Sequence, residues 1–343
     1  KIKLLITASA IGIYDEGGEN KFTENSKTGN GFLSKLCQDW EQESKNVSCR
    51  NAQLRFGIVL DNYSRSIKKM LPFFENGIGG NLSTGKQWMS WIHIEDVVGI
   101  TMKILYEEKL EGGINVVSPK PVRNKEFTKI LAKSLKTIAI FPVPKLALRL
   151  AYGEIANVIL SSQKVMPEKM INNKYSFKYE TLSEAFTSIF VWKESCFDRL
   201  YQQQQWTPKP LEKVFDFFSN EKNLEELTPP LLNFRVVNKS TKTLQEGTKI
   251  NYKLKIRGLP AKWTSLITNW NPRKEFADVQ IKGPYAKWYH RHLFKPLAEG
   301  VLLEDKVVYR LPFARLGSNI IGWFIRKDIE TIFSYRRNKI KNW

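Results

Sequence analysis

The sequence predicts an α/β unit built on a doubly wound parallel sheet, followed by an α+β unit in which an antiparallel sheet surrounds a long C-terminal helix. Three observations predict it. The 343 residues amount to about two domains at ~150 residues each. Up to Phe190, compact apolar runs alternate with helix-period stretches, as expected when crossover helices bury the strands of a parallel sheet. Beyond Phe190, long polar/apolar alternations separated by turn residues take over.

In order, Ile2–Ile6 is an apolar run followed by small residues Thr7–Ala10, which reads as a buried parallel strand whose carboxyl end opens onto a site. Gly31–Lys45 has helical spacing, with Phe32, Leu36 and Trp40 on one stripe. Asn51–Leu60 reads as a strand, Ser64–Phe74 as a helix stopped by the glycines at 77–80, and Trp88–Ile94 as a strand feeding the helix Glu95–Tyr106. The acidic start of that helix suits its dipole. Gly113–Val117 closes the series as a strand, and Asn124–Leu135, Lys145–Leu150 and Leu182–Phe190 form a helical annex. A short linker is expected at residues 187–194.

The second unit starts with strand-like Cys196–Gln205 and a helix at Leu211–Phe218 introduced by Pro208 and Pro210. Alternating stretches follow at Thr248–Ile256, Lys262–Trp270, Phe276–Lys282, Lys287–Lys295 and Gly300–Arg310. The helix Leu316–Lys341 carries Ile320, Trp323, Phe324, Ile329, Ile332 and Phe333, apolar surface that one antiparallel sheet would bury.

Composition narrows the function classes. Apolar residues at 42% and charged residues at 26% exclude wholesale disorder. Three cysteines, Cys37, Cys49 and Cys196, build neither a disulfide framework nor a zinc spacing, so a reducing, cytoplasmic setting is expected. No apolar run reaches the ~18 residues of a membrane span. Net charge is +20, of which +7 lies up to Thr187 and +13 beyond it. Solvated lysine faces are the expected explanation, with the steering of anions or acidic membranes as the alternative. Nucleic acid is not expected, because no recognition helix or RNA-binding aromatic motif accompanies the charge. The basic end Tyr335–Lys341 suits the helix dipole, and it is also compatible with transient contact with an acidic membrane.

The strings Ser9–Tyr14, Phe32-Leu33 with Cys37 and Trp40-Glu41, Leu54–Leu60 and Trp91–Asp96 carry a family pattern. Ser118–Asn124 with Phe127, Pro142–Pro144, Gly153-Glu154, Ser162-Gln163 and Pro167 extend it. Residues 1–186, with an annex from about 118, thereby resemble atypical extended short-chain dehydrogenase/reductases of the nucleoside-diphosphate-sugar epimerase type. The resemblance implies a Rossmann-type sheet, NADP or NAD in the full-length protein, and a nucleotide-sugar or carbonyl substrate. It also implies that the Gly-rich phosphate turn and about 100 residues precede the given chain. The chain is therefore expected to be a fragment that does not bind NADP by itself. By the same resemblance Ser9 takes the serine position, while the tyrosine and lysine positions fall on Leu33 and Cys37, so the usual acid/base pair is missing.

Ser9 and Tyr14 are the candidate catalytic groups; the alternatives are a strand-end hydroxyl satisfying backbone groups for Ser9 and an aromatic packed under the sheet for Tyr14. Arg55, His93 and Asp96 are candidate cofactor- or substrate-binding residues at strand ends. The alternatives are an ion pair for Arg55, a helix cap for Asp96 and a structural role for His93. Gly80–Lys86 mimics a phosphate loop, but Gln87 stands where a magnesium-binding Ser or Thr is needed.

In the second unit, Val214–Leu224, Leu227–Pro230, Phe234, Gly258–Pro260, Trp263, Trp270, Pro272, Phe276, Gly283–His292 and Tyr309–Pro312 form another pattern. Residues 195–343 resemble the helix-grip superfamily of START lipid-transfer proteins and polyketide cyclases, which implies a hydrophobic small-molecule ligand. Trp288, His290, His292 and Phe294 share a strand face, and with Trp263 they are the candidate cavity lining; a solid aromatic core is the alternative. A zinc site needs a third ligand and no adjacent His or Cys supplies one, so no metal is expected.

Overall fold

The computed structural model describes residues 2–312 and 318–343, and the chain divides into two units, Lys1–Cys196 and Phe197–Trp343. The first is organised by three parallel strands in the order Leu4–Ala10, Arg50–Phe56, Gly112–Val116. Ala52, Leu54, Ile114 and Val116 pack from these strands against Ile100 and Ile104 of the helix Ile94–Tyr106. At Gly57 the chain leaves this sheet for a second parallel pair, Ile58–Leu60 with Trp91–His93. A Cβ there would lie 2.6 Å from the Ser90 carbonyl oxygen, so only glycine lets the two segments approach so closely.

The annex packs on Trp91, with Phe127 and Leu131 from the helix Asn124–Ser134 and Phe186 from the helix Leu182–Ile189. The latter begins in a capping box, in which Thr181 accepts from the Glu184 amide and Glu184 reaches back to the Thr181 amide.

Leu4–Ala10 is a parallel strand as expected, its residues mostly half-buried in the chain as given. Three expectations need correction here. Trp88–Ile94 is two short strands, because Trp88–Met89 pairs antiparallel with Val122–Arg123 while Trp91–His93 pairs parallel with Ile58–Leu60. The helix Phe32–Lys45 does not bury the Phe32/Leu36/Trp40 stripe. Phe32 and Trp40 are exposed, and Ser34, Cys37, Glu41 and Ser44 face inward because Glu41 meets a buried arginine. Residues 187–194 are no free linker: 187–189 are helical, Phe190 is buried, and the buried Lys193 pairs with Glu75 at 3.2 Å.

The second unit is one seven-stranded antiparallel sheet. Its order is Arg199–Thr207, Gly300–Arg310, Lys287–Leu297, Glu275–Lys282, Leu259–Asn271, Lys249–Ile256, Arg235–Lys239. The helix Ser318–Lys341 lays Ile329 and Phe333 against Val307, Tyr309 and Leu311. At its C-terminal end Ile340 joins Phe215, Phe218, Phe276 and Phe294. The expected helix start at Leu316, and the side chains of Ile320 and Trp323, lie outside the described residues. Phe324 is not buried by the sheet; it is partly exposed beneath the Arg257 guanidinium, 4.9 Å from the ring centroid. Among the described residues no helix is long and apolar enough to cross a membrane.

Candidate functional sites

The carboxyl ends of the first two parallel strands bring Ser9 beside Arg55 in register. Arg55 forks onto Glu41, its Nε 2.9 Å from Oε1 and its Nη2 2.8 Å from Oε2, while its Nη1 donates to the Tyr14 hydroxyl at 2.8 Å. Tyr14 donates to Asn115 Oδ1 and Ser9 donates to Glu41 Oε1, both at 2.8 Å. A Cβ on Gly113 would lie 2.4 Å from the Arg55 guanidinium carbon, so the glycine makes room for the arginine. Burial pushes the Tyr14 phenol above its ordinary pKa, with Arg55 opposing. Burial would lower the Arg55 pKa, but its bonds to Glu41 raise it instead. Thus Ser9, Tyr14 and Arg55 form one buried network with Glu41 and Asn115, two partners missed in the sequence.

His93 and Asp96 stand in a second cluster. His93, rather than Asp96, caps the helix Ile94–Tyr106, its Nδ1 accepting from the Glu95 amide at 3.2 Å. Its Nε2 lies 3.2 Å from the Ser188 hydroxyl and its ring packs 3.9 Å from that of Tyr179. Burial lowers the His93 pKa, opposed by Glu95, Asp96 and Asp61. Asp96, fully buried, accepts from the amides of Lys178 and Tyr179 at 2.7 and 3.0 Å and from the Tyr175 hydroxyl at 3.1 Å.

The first unit also has an open surface depression of about 320 Å³ bordered by Lys86, Arg123 and Lys145 with Ser83, Thr84 and Ser162. Arg123 stacks 4.0 Å over Trp88 and pairs with Glu19. Ser162 receives the Trp88 amide on its hydroxyl and the Gly17 amide on its carbonyl. The Gly80–Lys86 string thus borders a cleft without having a helix after it, unlike a true phosphate loop. With Arg123 paired to Glu19, Lys86 and Lys145 beside the hydroxyls of Ser83 and Thr84 are the groups that suit an anionic, oxygen-rich ligand. The cations are 37 and 22 residues apart in sequence, and no local pattern signals their convergence.

In the second unit, strand register builds a third cluster. Asp278 pairs across the sheet with His290, and His292 with Asp305. His290 Nε2 is 3.0 Å from Asp305 Oδ1, and its Nδ1 is 3.6 Å from Asp278 Oδ1. His292 Nε2 is 3.9 Å from Asp278 Oδ1, and its Nδ1 is 2.9 Å from Asp305 Oδ1 but out of line for a hydrogen bond. Arg336 from the long helix reaches within 3.7 Å of Asp305. Burial would raise the Asp305 carboxyl, yet Arg336 and the two histidines hold it well below the usual carboxylate range. Burial raises Asp278, opposed chiefly by His290, and burial drops His292 to about 3. Trp288 and Trp263 meet edge to face at 5.2 Å, whereas Phe294 packs into the phenylalanine cluster around Phe215. The five proposed lining residues therefore span two apolar regions with the histidines between them. Sequence reasoning found the histidines by period two. It missed Asp278 and Asp305, since it sought ligands adjacent in the chain rather than across strands.

An α/β unit with a parallel sheet followed by an antiparallel sheet holding a long helix defines the class. Comparisons with known proteins agree. Residues 143–189 match a family model described as a domain of unknown function, and residues 207–333 match the one described as polyketide cyclase / dehydrase and lipid transport. Over 188 residues the chain is 36% identical to the chloroplastic epimerase family protein SDR39U1 homolog of Arabidopsis thaliana, covering 54% of each chain. Over 195 residues it is 35% identical to the epimerase family protein YfhF of Bacillus subtilis, covering 56% of this chain and 64% of that one. The crystal structure of human epimerase family protein SDR39U1 with NADPH superposes with a TM-score of 0.53 at 28% identity, covering 55% of this chain and 65% of that one. The chain spans between about half and two thirds of the length of these relatives. Its first part is thus similar to epimerase family proteins, and residues 207–333 to the polyketide cyclase / dehydrase and lipid transport family.

Proposed function

We propose that the protein is a nicotinamide-dependent epimerase- or reductase-like protein of atypical active site whose second unit captures a hydrophobic small molecule. The observation that carries the cofactor is the likeness to the NADPH-bound human structure. In this fold dinucleotides lie outside the carboxyl ends of the parallel strands. The cleft of Lys86 and Lys145 is suited to the phosphates of a nucleotide-sugar or to a polar carbonyl substrate. Covalent fusion raises the concentration of one unit's ligand near the other. Free thiols at Cys37 and Cys49 fit a reducing compartment, and the cytoplasm is the proposed location.

A non-catalytic scaffold or redox sensor is the second reading. It is favoured by one observation: the Ser9 and Tyr14 hydroxyls are already engaged with Glu41, Arg55 and Asn115. The test is calorimetry of the full-length gene product with NADPH and NADH, followed by NADPH oxidation over a panel of carbonyls and nucleotide-sugars. Binding with substrate-dependent turnover is the expected result. Binding without any turnover selects the scaffold, and no binding of either nucleotide overturns both. Native mass spectrometry of the same protein tests the second unit: a co-purifying apolar ligand, reduced in Trp288→Ala, is expected. Unchanged retention in that variant overturns the assigned lining.

A further inference from the structure

We propose that Asp278, His290 and His292 form a binding site for a divalent metal ion of the zinc class inside the second unit. The three residues offer one carboxylate oxygen and two imidazole nitrogens, all within 4.8 Å of one another. Asp278 Oδ1 faces His290 Nδ1 at 3.6 Å and His292 Nε2 at 3.9 Å. Metal–ligand bonds of about 2.0–2.2 Å in a tetrahedron separate ligand atoms by roughly 3.3–3.6 Å. The two separations from Asp278 are within a few tenths of an ångström of that spacing, and the two imidazole nitrogens, within 4.8 Å of each other, close the remaining ångström or so by side-chain rotation onto the ion.

The surroundings match what a metal site needs. Each histidine turns its other nitrogen toward Asp305, at 3.0 Å from His290 and 2.9 Å from His292. A carboxylate behind the ligating imidazole fixes its tautomer and orientation and raises its basicity. Asp305 does this for His290, whose Nε2 it holds by a hydrogen bond, while His292 Nδ1 lies beside the same carboxylate out of line. Asp278 is itself oriented, its Oδ2 accepting from the Ser265 hydroxyl at 3.0 Å. Apolar rings close around the site, with Phe276 at 4.4 Å from His292 and Phe333 at 5.4 Å from His290. Three protein ligands leave a fourth position for water or for an oxygen of the small molecule, the composition of open rather than purely structural zinc sites.

The test uses the full chain, stripped with a chelator, then titrated with Zn²⁺ by calorimetry and with Co²⁺ by visible absorption. One equivalent of Zn²⁺ should bind. The Co²⁺ form should show the intense d–d bands of low coordination without a thiolate charge-transfer band. Asp278→Asn, similar in shape and able to keep the Ser265 hydrogen bond, should weaken Zn²⁺ binding at least tenfold with circular dichroism unchanged. Absence of binding by the folded wild-type chain overturns the proposal. So does affinity unchanged in Asp278→Asn. A thiolate band in the wild-type spectrum also overturns it, by assigning the ion to a cysteine. The spectrum needs no variant, so a poorly folding mutant does not decide the outcome.

Discussion

The Arg55 network of the first unit and the histidine cluster of the second are both buried and charged, but they differ in their accounts. Around Arg55, one guanidinium meets one carboxylate in a fork, and the hydroxyls of Ser9 and Tyr14 each have a partner. Around His290 and His292, two carboxylates face one guanidinium, while His292 Nδ1 and Arg336 Nε are buried without a hydrogen bond. A saturated network fastens a fold. A network with leftover capacity is arranged for something else, because an unpaired buried polar group costs stability with no return inside the folded chain.

The largest effect should come from breaking the saturated side. Arg55→Ala leaves Glu41 buried and uncompensated, which costs about 3–5 kcal/mol. Urea denaturation, followed by hydrogen exchange in residues 2–196, would measure it. The double variant Arg55→Met/Glu41→Leu should recover much of the loss, since neither charge then remains buried. A single-variant cost below about 1 kcal/mol would mean that solvent reaches the pair, and the contrast between the two regions would collapse.

Tyr14→Phe removes one hydroxyl between Arg55 and Asn115 and should cost about 1–2 kcal/mol. It sharpens the comparison because it separates fastening from catalysis. Turnover by the full-length gene product should survive in proportion to the folded fraction. A loss of kcat with unchanged stability would make Tyr14 an acid/base after all.

These two regions also show what could be read before the fold was known. Strand and helix alternation exposed the α/β unit, and period-two alternation exposed the face bearing Trp288, His290, His292 and Phe294, since both signals are local. The helix Phe32–Lys45 was misleading because its buried face is polar, dictated by Arg55 on another element. Asp278 and Asp305 were invisible for the same reason: they lie 12 and 15 residues from His290, and only strand register places them beside it. The cleft cations Lys86, Arg123 and Lys145 come from three separate segments.

A smaller effect is expected from His93. Its folded pKa is depressed by burial, below an unfolded value near ~6.5. Below ~6.5 the unfolded chain therefore binds more protons than the folded one, and stability falls as pH drops from there toward the folded value. Above that window the contribution is flat. His93→Asn can still accept the Glu95 amide as a cap, so it should abolish this part of the slope while leaving stability at pH 8 within about 1 kcal/mol. An unaltered slope between pH 5 and pH 7, measured by urea denaturation, would assign the pH response to other groups.

The smallest effect falls on the histidine side. With a chelator present, Asp278→Asn should change stability by less than about 1 kcal/mol, because it keeps the hydrogen bond from Ser265 and removes a charge that burial disfavours. The same substitution type applied to a saturated partner, Glu41→Gln, should cost more, since it breaks the fork onto Arg55. The ratio of the two costs reads the difference between the regions directly. If Asp278→Asn were as damaging as Glu41→Gln, Asp278 would be a fastener of the sheet, and its place beside His290 and His292 would have to be explained by folding rather than by a ligand.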